Sequence, residues 1–462
     1  LKIGSAKHAI ENVTVTDGAV LRYSEVLSAL SFILDMVEGQ PEGHVLRSCF
    51  IGMMIGERVG LSNEDRSALF YALLLKDAGC SSNASKLAAH FGSDDFRAKR
   101  AFKTVNWSRL PNAVLYAART VSLGENIWSK GRRFLSVSKA GPGVGRELVR
   151  IRCERGAEIS HLMGFPEQTS QAIRSLDEHW DGAGHPDGIQ GQEIPLLARI
   201  CGLAQTVEVF YTAYGPERAE YVARSRSKKW FDPELVDAFL GVAREGRIWE
   251  SLAEQDLTLE VSRLEPAEEV LMVTHGRLDL TALAFAQIID AKSPFMFQHS
   301  EGVARAAAAM SEYMGFPPEA VRDQTRAGLL HDIGKLGVSN RILDKPGRLT
   351  DEEFTRVKIH PALTYQVLNR VTAFRGIARA AASHHEKLDG SGYHRGLTGD
   401  DLNGPARILA VADIFDALSQ DRPYRLAMPM EKVFSILDRE GGDKLCPASV
   451  KALIELVEKD KL

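Results

Sequence analysis

The chain has 462 residues, a formal net charge of -4 and 44% hydrophobic residues, so it is long enough for two or more packed domains rather than one. Interspersed charge of both signs excludes a bulk nucleic-acid binder, and no run of about 18 apolar residues exists to span a membrane. Five scattered cysteines without a Cys-x-x-Cys pair fit a reducing compartment, and with no basic-then-apolar leader the expected location is cytoplasmic.

Taken in chain order, the predicted elements repeat. EGHVLRSCFIGMMIGERVGL (42–61) has a histidine followed by an apolar-rich helix ending at glycine, and QHSEGVARAAAAMSEYMGF (298–316) has the same layout. LLLKDAG (73–79) pairs with LLHDIGK (329–335), and DEHWDGAGHPDGIQGQEIPLLARICGLAQTVEVF (177–210) with HEKLDGSGYHRGLTGDDLNGPARILAVADIFDAL (385–418). FDPELVDAFL (231–240) pairs with LCPASVKALI (445–454). Four blocks in the same order predict two related domains, 20–250 and 276–462, with an ordered, charged connector over 251–275.

Helical periodicity dominates, so the expected fold class is all-α, two tandem helical bundles. PEAVRDQTRAGLLHDIG (318–334) opens on proline, has apolar positions at Val321, Leu329, Leu330 and Ile333, and ends on glycine. TDEEFTRVKI (350–359) begins with Thr350 and has Glu353 three residues later, the capping-box pattern. Pro361 starts another helix. PARILAVADIFDAL (405–418) again opens on proline and spaces Ile408, Val411, Ala412 and Phe415 helically.

The later half gathers His299, His331, Asp332, His360, His384, His385 and Asp413 in helices or at their ends. A lone His-Asp dipeptide says little, but a set of nitrogen and oxygen donors without cysteine suits first-row divalent cations rather than structural zinc. A carboxylate such as Asp332 offsets the repulsion between two cations about 3.5–4 Å apart, and cations so paired activate water against a phosphodiester.

These motifs resemble the HD-GYP family of HD-superfamily phosphohydrolases. The resemblance covers about 165 residues: HS near 299, LLHDIGKLGV, ILDKPGRLTDEEF, HP at 360, HHEKLDGSGY and ARILAVADIFDALSQDRPYR. It implies hydrolysis of cyclic di-GMP to pGpG or GMP, with His299, His331, Asp332, His360, His384, His385 and Asp413 as metal ligands. It further implies Lys335 beside the attacked phosphate and Asp416 orienting a ligand or nucleophile. Tyr393, Arg422 and Arg425 match positions that contact the dinucleotide. The family expectation is two divalent ions, iron or manganese, with nickel, cobalt and zinc also compatible with the donors. Three departures stand out. The GYP triad reads Gly392-Tyr393-His394; the position where three-metal members carry glutamate holds Phe295, favouring two metals; and Phe-Asp-Pro reads Leu445-Cys446-Pro447. Two other readings stand beside this one: a phosphohydrolase for a different nucleotide, and a non-catalytic, nucleotide-responsive signalling module.

In the first copy His44 and Asp77 persist, whereas His331 becomes Lys76, His384 Leu176, His385 Asp177 and Asp413 Gln205, with the counterpart of His360 near Arg152. Such a site is expected to hold no metal, with Lys76 paired to Asp77, and His179 and His185 are expected to make loop hydrogen bonds. The first domain is then an intramolecular regulator or scaffold. The expected partners are a cyclic dinucleotide and, as an allowed state, a second copy in a homodimer; no membrane and no bulk nucleic acid are expected.

Overall fold

A computed structural model describes residues 15–16, 19–91, 95–96, 99–100, 127–254, 256–421 and 426–462. The fold is all-α. Among the described residues the only paired strands are Val15–Thr16 and Ala19–Val20, antiparallel and two residues each. Among the described residues no helix is long and apolar enough to cross a membrane. Two compact units form, one over Glu11–Thr274 and one holding His275–Leu462.

In the first unit, helices α1 (Tyr23–Val37), α2 (His44–Arg58), α3 (Asn63–Leu75), α4 (Ala84–Phe91), α5 (Ile127–Leu162), α6 (Glu167–Arg174) and α7 (Leu196–Tyr214) build the bundle. They are followed by α8 (Pro216–Arg226), α9 (Pro233–Arg244), α10 (Arg247–Leu252) and α11 (Thr258–Leu264). Helix α1 buries Val26, Leu27, Leu30, Ile33, Leu34 and Val37, the three-and-four spacing of a core-facing stripe. Helix α3 is apolar on every side over its last turns, and Ala68 through Leu75 are all buried against α2, α6 and α7. Residues after α11 belong to this unit. Glu265 accepts from Ser24 Oγ at 2.7 Å and from Tyr71 Oη at 2.5 Å, and Met272 bridges to Arg22.

The second unit runs α12 (His275–Asp290), α13 (His299–Tyr313), α14 (Pro318–Leu330), α15 (Asn340–Leu343), α16 (Asp351–Val357), α17 (His360–Arg370), α18 (Arg375–Ala381), α19 (Gly404–Ser419), α20 (Met430–Glu440) and α21 (Pro447–Glu458). Helix α13 packs on α14 and α19, and α14 on α18, which brings the ends of several helices together. The α14 helix stops earlier than its periodicity suggests: the chain tightens after Leu330 into a 3-10 turn over Ile333–Gly337, lifting His331 and Asp332 out of the regular helix. Gly334 lets the start of α17 pack against that turn, because a Cβ there would lie 2.0 Å from the His360 carbonyl oxygen. The capping box at α16 forms as expected, with Glu353 N donating to Thr350 Oγ1 at 3.2 Å and Thr350 N to Glu353 Oε2 at 2.8 Å. Asn403 caps α19 through the Ala406 amide.

Candidate metal centre

The seven expected ligands converge. Three of the imidazoles are held alike: Nδ1 of His331, His360 and His384 each donates to the carbonyl three residues earlier, on Gly328, Val357 and Ala381, at 2.7 Å. A carbonyl can only accept, so each ring is fixed in the tautomer that leaves its Nε2 lone pair free. All three lone pairs aim at Asp332, which is fully buried.

The two oxygens of Asp332 divide the histidines between them. Oδ2 lies 3.3 Å from His331 Nε2 and 3.8 Å from His299 Nε2; Oδ1 lies 3.4 Å from His360 Nε2 and 3.6 Å from His384 Nε2. Asp413 spans the same gap, with Oδ1 3.2 Å from His299 Nε2 and Oδ2 3.6 Å from His385 Nδ1. Two groups of donors result, His299-His331-Asp332 and His360-His384-His385, each with ligand atoms within 4.8 Å of one another.

These residues fit divalent cations. His331 Nε2 and Asp332 Oδ1 are buried without a hydrogen-bond partner, an arrangement that costs free energy unless a cation completes it. Burial pushes the His360 and His384 rings down to about 3 and about 4, so both are neutral at pH 7, the form that ligates. Burial alone would raise the Asp332 carboxyl, but the neighbouring His331 ring and the Lys335 ammonium hold it well below the usual range. His299 differs. Burial lowers its ring, yet hydrogen bonds to Asp413 and Asp416 outweigh this and lift it to about 9 without a cation present.

The supporting residues have clear placements. Asp416 accepts from His299 Nδ1 at 2.7 Å, which directs Nε2 inward. Lys335 Nζ lies 2.5 Å from Asp332 Oδ2 and is partly exposed, so it can meet an incoming anion. Tyr393 sits 4.6 Å, centroid to centroid, from the His385 ring. Arg422 and Arg425 lie outside the described residues.

Sequence reasoning missed several participants. Thr364 ties the α14 end to α17, accepting from Gly334 N at 3.1 Å and donating to the His331 carbonyl at 2.8 Å. Buried Glu386 accepts from the amides of Arg395 and Leu397, anchoring the loop that carries Tyr393. Glycine and glutamate inside HDIGK and HHEKLDG were the available signals. In that loop His394 has φ +93°, a conformation closed to proline, whose ring fixes φ near -65°.

Some contacts in the first unit parallel these, with different chemistry. His44 Nδ1 bonds to Glu208, as His299 does to Asp416, and Glu178 accepts from Asp187 N and Gly188 N, as Glu386 does in its loop. Lys76 Nζ, however, lies 2.9 Å from His44 Nε2 and pairs with Asp77, while Arg152 pairs with Asp177. Glu38, Asp77 and Cys80 cluster nearby, but Arg152 approaches Glu38 at 3.8 Å. The expected loop hydrogen bonds of His179 are absent at Nδ1, which is buried without a partner; the ring stacks on Trp230 at 4.3 Å instead.

Comparison with known proteins agrees with this geometry. The chain matches the family described as HD domain over residues 144–235 and 284–448. It is 40% identical over 437 residues, 94% of this chain and 95% of the relative, to 3'3'-cGAMP-specific phosphodiesterase 3 of Vibrio cholerae. It is 35% identical over 209 residues, 44% of this chain and 54% of the relative, to the cyclic di-GMP phosphodiesterase response regulator RpfG of Xanthomonas campestris. The crystal structure of the V. cholerae cyclic GMP-AMP-specific phosphodiesterase V-cGAP3 aligns with a TM-score of 0.64 at 36% identity, covering 95% of this chain and 98% of that one. With near-full coverage in sequence and structure, the chain belongs to the HD domain family of metal-dependent phosphohydrolases.

Proposed function

We propose that the second unit hydrolyses a cyclic dinucleotide and that 3'3'-cGAMP is its substrate. The observation that carries the reading is the convergence of Nε2 from His331, His360 and His384 on a carboxylate whose two oxygens serve separate donor groups. His299 and His331, with one oxygen of each aspartate, would hold one ion; His360, His384 and His385, with the opposite oxygens, would hold another. Bound there, two divalent cations, iron or manganese, supply Lewis-acid charge toward a phosphodiester and a lowered pKa for attacking water.

The chain's own residues do the rest. Asp416 keeps His299 oriented. Lys335 offers its ammonium to a non-bridging phosphate oxygen. Tyr393 gives the sugar or base a wall beside His385, and Arg422 and Arg425 are proposed to pair with phosphate or guanine edges. The first unit, where cationic side chains stand among the acids, is proposed as a regulator rather than a second catalyst.

The choice of substrate rests on coverage: the cGAMP-specific relative matches over 94% of this chain, whereas the cyclic di-GMP phosphodiesterases of Xanthomonas campestris and Pseudomonas aeruginosa match over 44% and 52% of it. Cyclic di-GMP is the second reading, favoured by those relatives and by the shared motifs around the metal centre. The test is elemental analysis of anaerobically purified protein, then turnover of both dinucleotides by wild type and Asp332→Ala. Two equivalents of metal and preferential loss of 3'3'-cGAMP in wild type only are expected. Full metal loading with neither dinucleotide consumed would overturn the proposal.

A further inference from the structure

Beside the metal centre lies a feature that the ligand set does not require. Phe354 and Lys358 are four residues apart on α16 and at its C-terminal end, so they share a face, and His360 follows two residues later. Lys358 Nζ sits 4.7 Å from the Phe354 ring centroid and 5.4 Å from that of Tyr393. The two rings are 6.2 Å apart at 66°, and Tyr393 in turn lies against the metal-ligand candidate His385. Phe354 is 43% exposed. Among the described residues Lys358 has no carboxylate partner.

Singly, an exposed phenylalanine or a surface lysine is ordinary. Together, joined through Tyr393 to the candidate ligand His385, they make a partly exposed aromatic face with a cation above it that no described carboxylate neutralises. The segment is also pre-set. The Thr350–Glu353 capping box starts α16, and Lys345 Nζ holds Glu353 at 2.5 Å. Such a platform takes a flat base, since stacking on an aromatic ring needs no particular hydrogen-bond pattern. The cation supplies the selection. Lysine only donates; guanine presents O6 and N7, both acceptors, whereas adenine presents a donor at N6.

We propose that Phe354 and Lys358 form, with Tyr393, the platform that receives a guanine base of the substrate, Phe354 stacking on the base and Lys358 donating to its O6/N7 edge. The assignment rests on the cyclic-dinucleotide reading above.

The experiment compares wild type, Phe354→Ala, Phe354→Trp and Lys358→Met in the metal-loaded 462-residue chain. It measures steady-state kinetics on 3'3'-cGAMP and cyclic di-GMP, competition by GMP and by AMP, and metal content. Phe354→Ala is expected to raise KM about tenfold with kcat within about twofold, and Phe354→Trp to restore KM. Lys358→Met is expected to weaken GMP competition at least about fivefold while leaving AMP unchanged. Metal content stays at the wild-type level throughout. Unchanged KM in both Phe354→Ala and Lys358→Met overturns the platform, as does a fall in kcat and metal content at constant KM, which would mark a structural role. A stacking effect with GMP and AMP weakened equally overturns the guanine assignment. Failure of wild type to cleave either dinucleotide instead overturns the functional reading, and the platform with it.

Discussion

At the scale of single residues, the centre depends on how each imidazole is held. Three rings are set by carbonyls of their own helix ends, so their orientation follows from backbone geometry alone. His299 is set by a side chain, Asp416, and is therefore the ring a mutation can release. Asp416→Asn should lower metal affinity or turnover about 10–100-fold while leaving the fold intact, read by metal titration and kcat/KM. The matching contact in the first unit gives a pH prediction. Burial alone would raise the Glu208 carboxyl, but the charges of His44 and Arg47 outweigh it and bring it down to about 2. A carboxyl whose folded value is depressed stabilises the protein above its unfolded value, and that stability is lost as pH falls toward the folded one. Melting temperature should therefore drop between about pH 4.5 and pH 2, and Glu208→Gln should flatten that part of the profile.

At the scale of elements, the seven converging side chains were legible because histidine and aspartate at helix ends are conspicuous in a helical pattern. The recurring order of motifs is legible as well, since glycine and proline punctuate both halves in the same order. What the pattern did not disclose was the tightening after Leu330. Whether a chain continues as α-helix or narrows to a 3-10 turn depends on what packs against it, here the start of α17. The roles of Thr364 and Glu386 were hidden for the same reason: a threonine and a glutamate look like surface residues until a distant amide arrives. Arg422 and Arg425 were read from motif alone, and no geometry speaks to them. The 3-10 turn yields a prediction at its own scale. Gly334→Ala would drive a Cβ to 2.0 Å from the His360 carbonyl oxygen and 2.7 Å from Thr364 N, both backbone atoms that cannot swing aside. The substitution should destabilise by about 1–3 kcal/mol and pull His331 and His360 out of register, seen as a lower denaturation midpoint together with lost metal.

Across the whole molecule, the two units show two ways of keeping an aspartate buried. Asp332 faces imidazole lone pairs and has one oxygen with no hydrogen-bond partner, so a bound cation would complete its polar contacts. Asp77 already has its cation, the ammonium of Lys76, which also reaches His44. The same substitution should therefore have opposite signatures. Asp332→Ala should strip metal from the chain, since the carboxylate that links both donor groups is gone. Asp77→Ala should leave metal content at the wild-type value but strand a buried ammonium, a loss of about 3–5 kcal/mol. Elemental analysis and denaturant unfolding on the two variants of the 462-residue chain separate the cases. If Asp77→Ala lowered the metal count, the first unit would hold an ion of its own, and a lysine within hydrogen-bonding distance of both His44 and Asp77 would have to move aside to admit it.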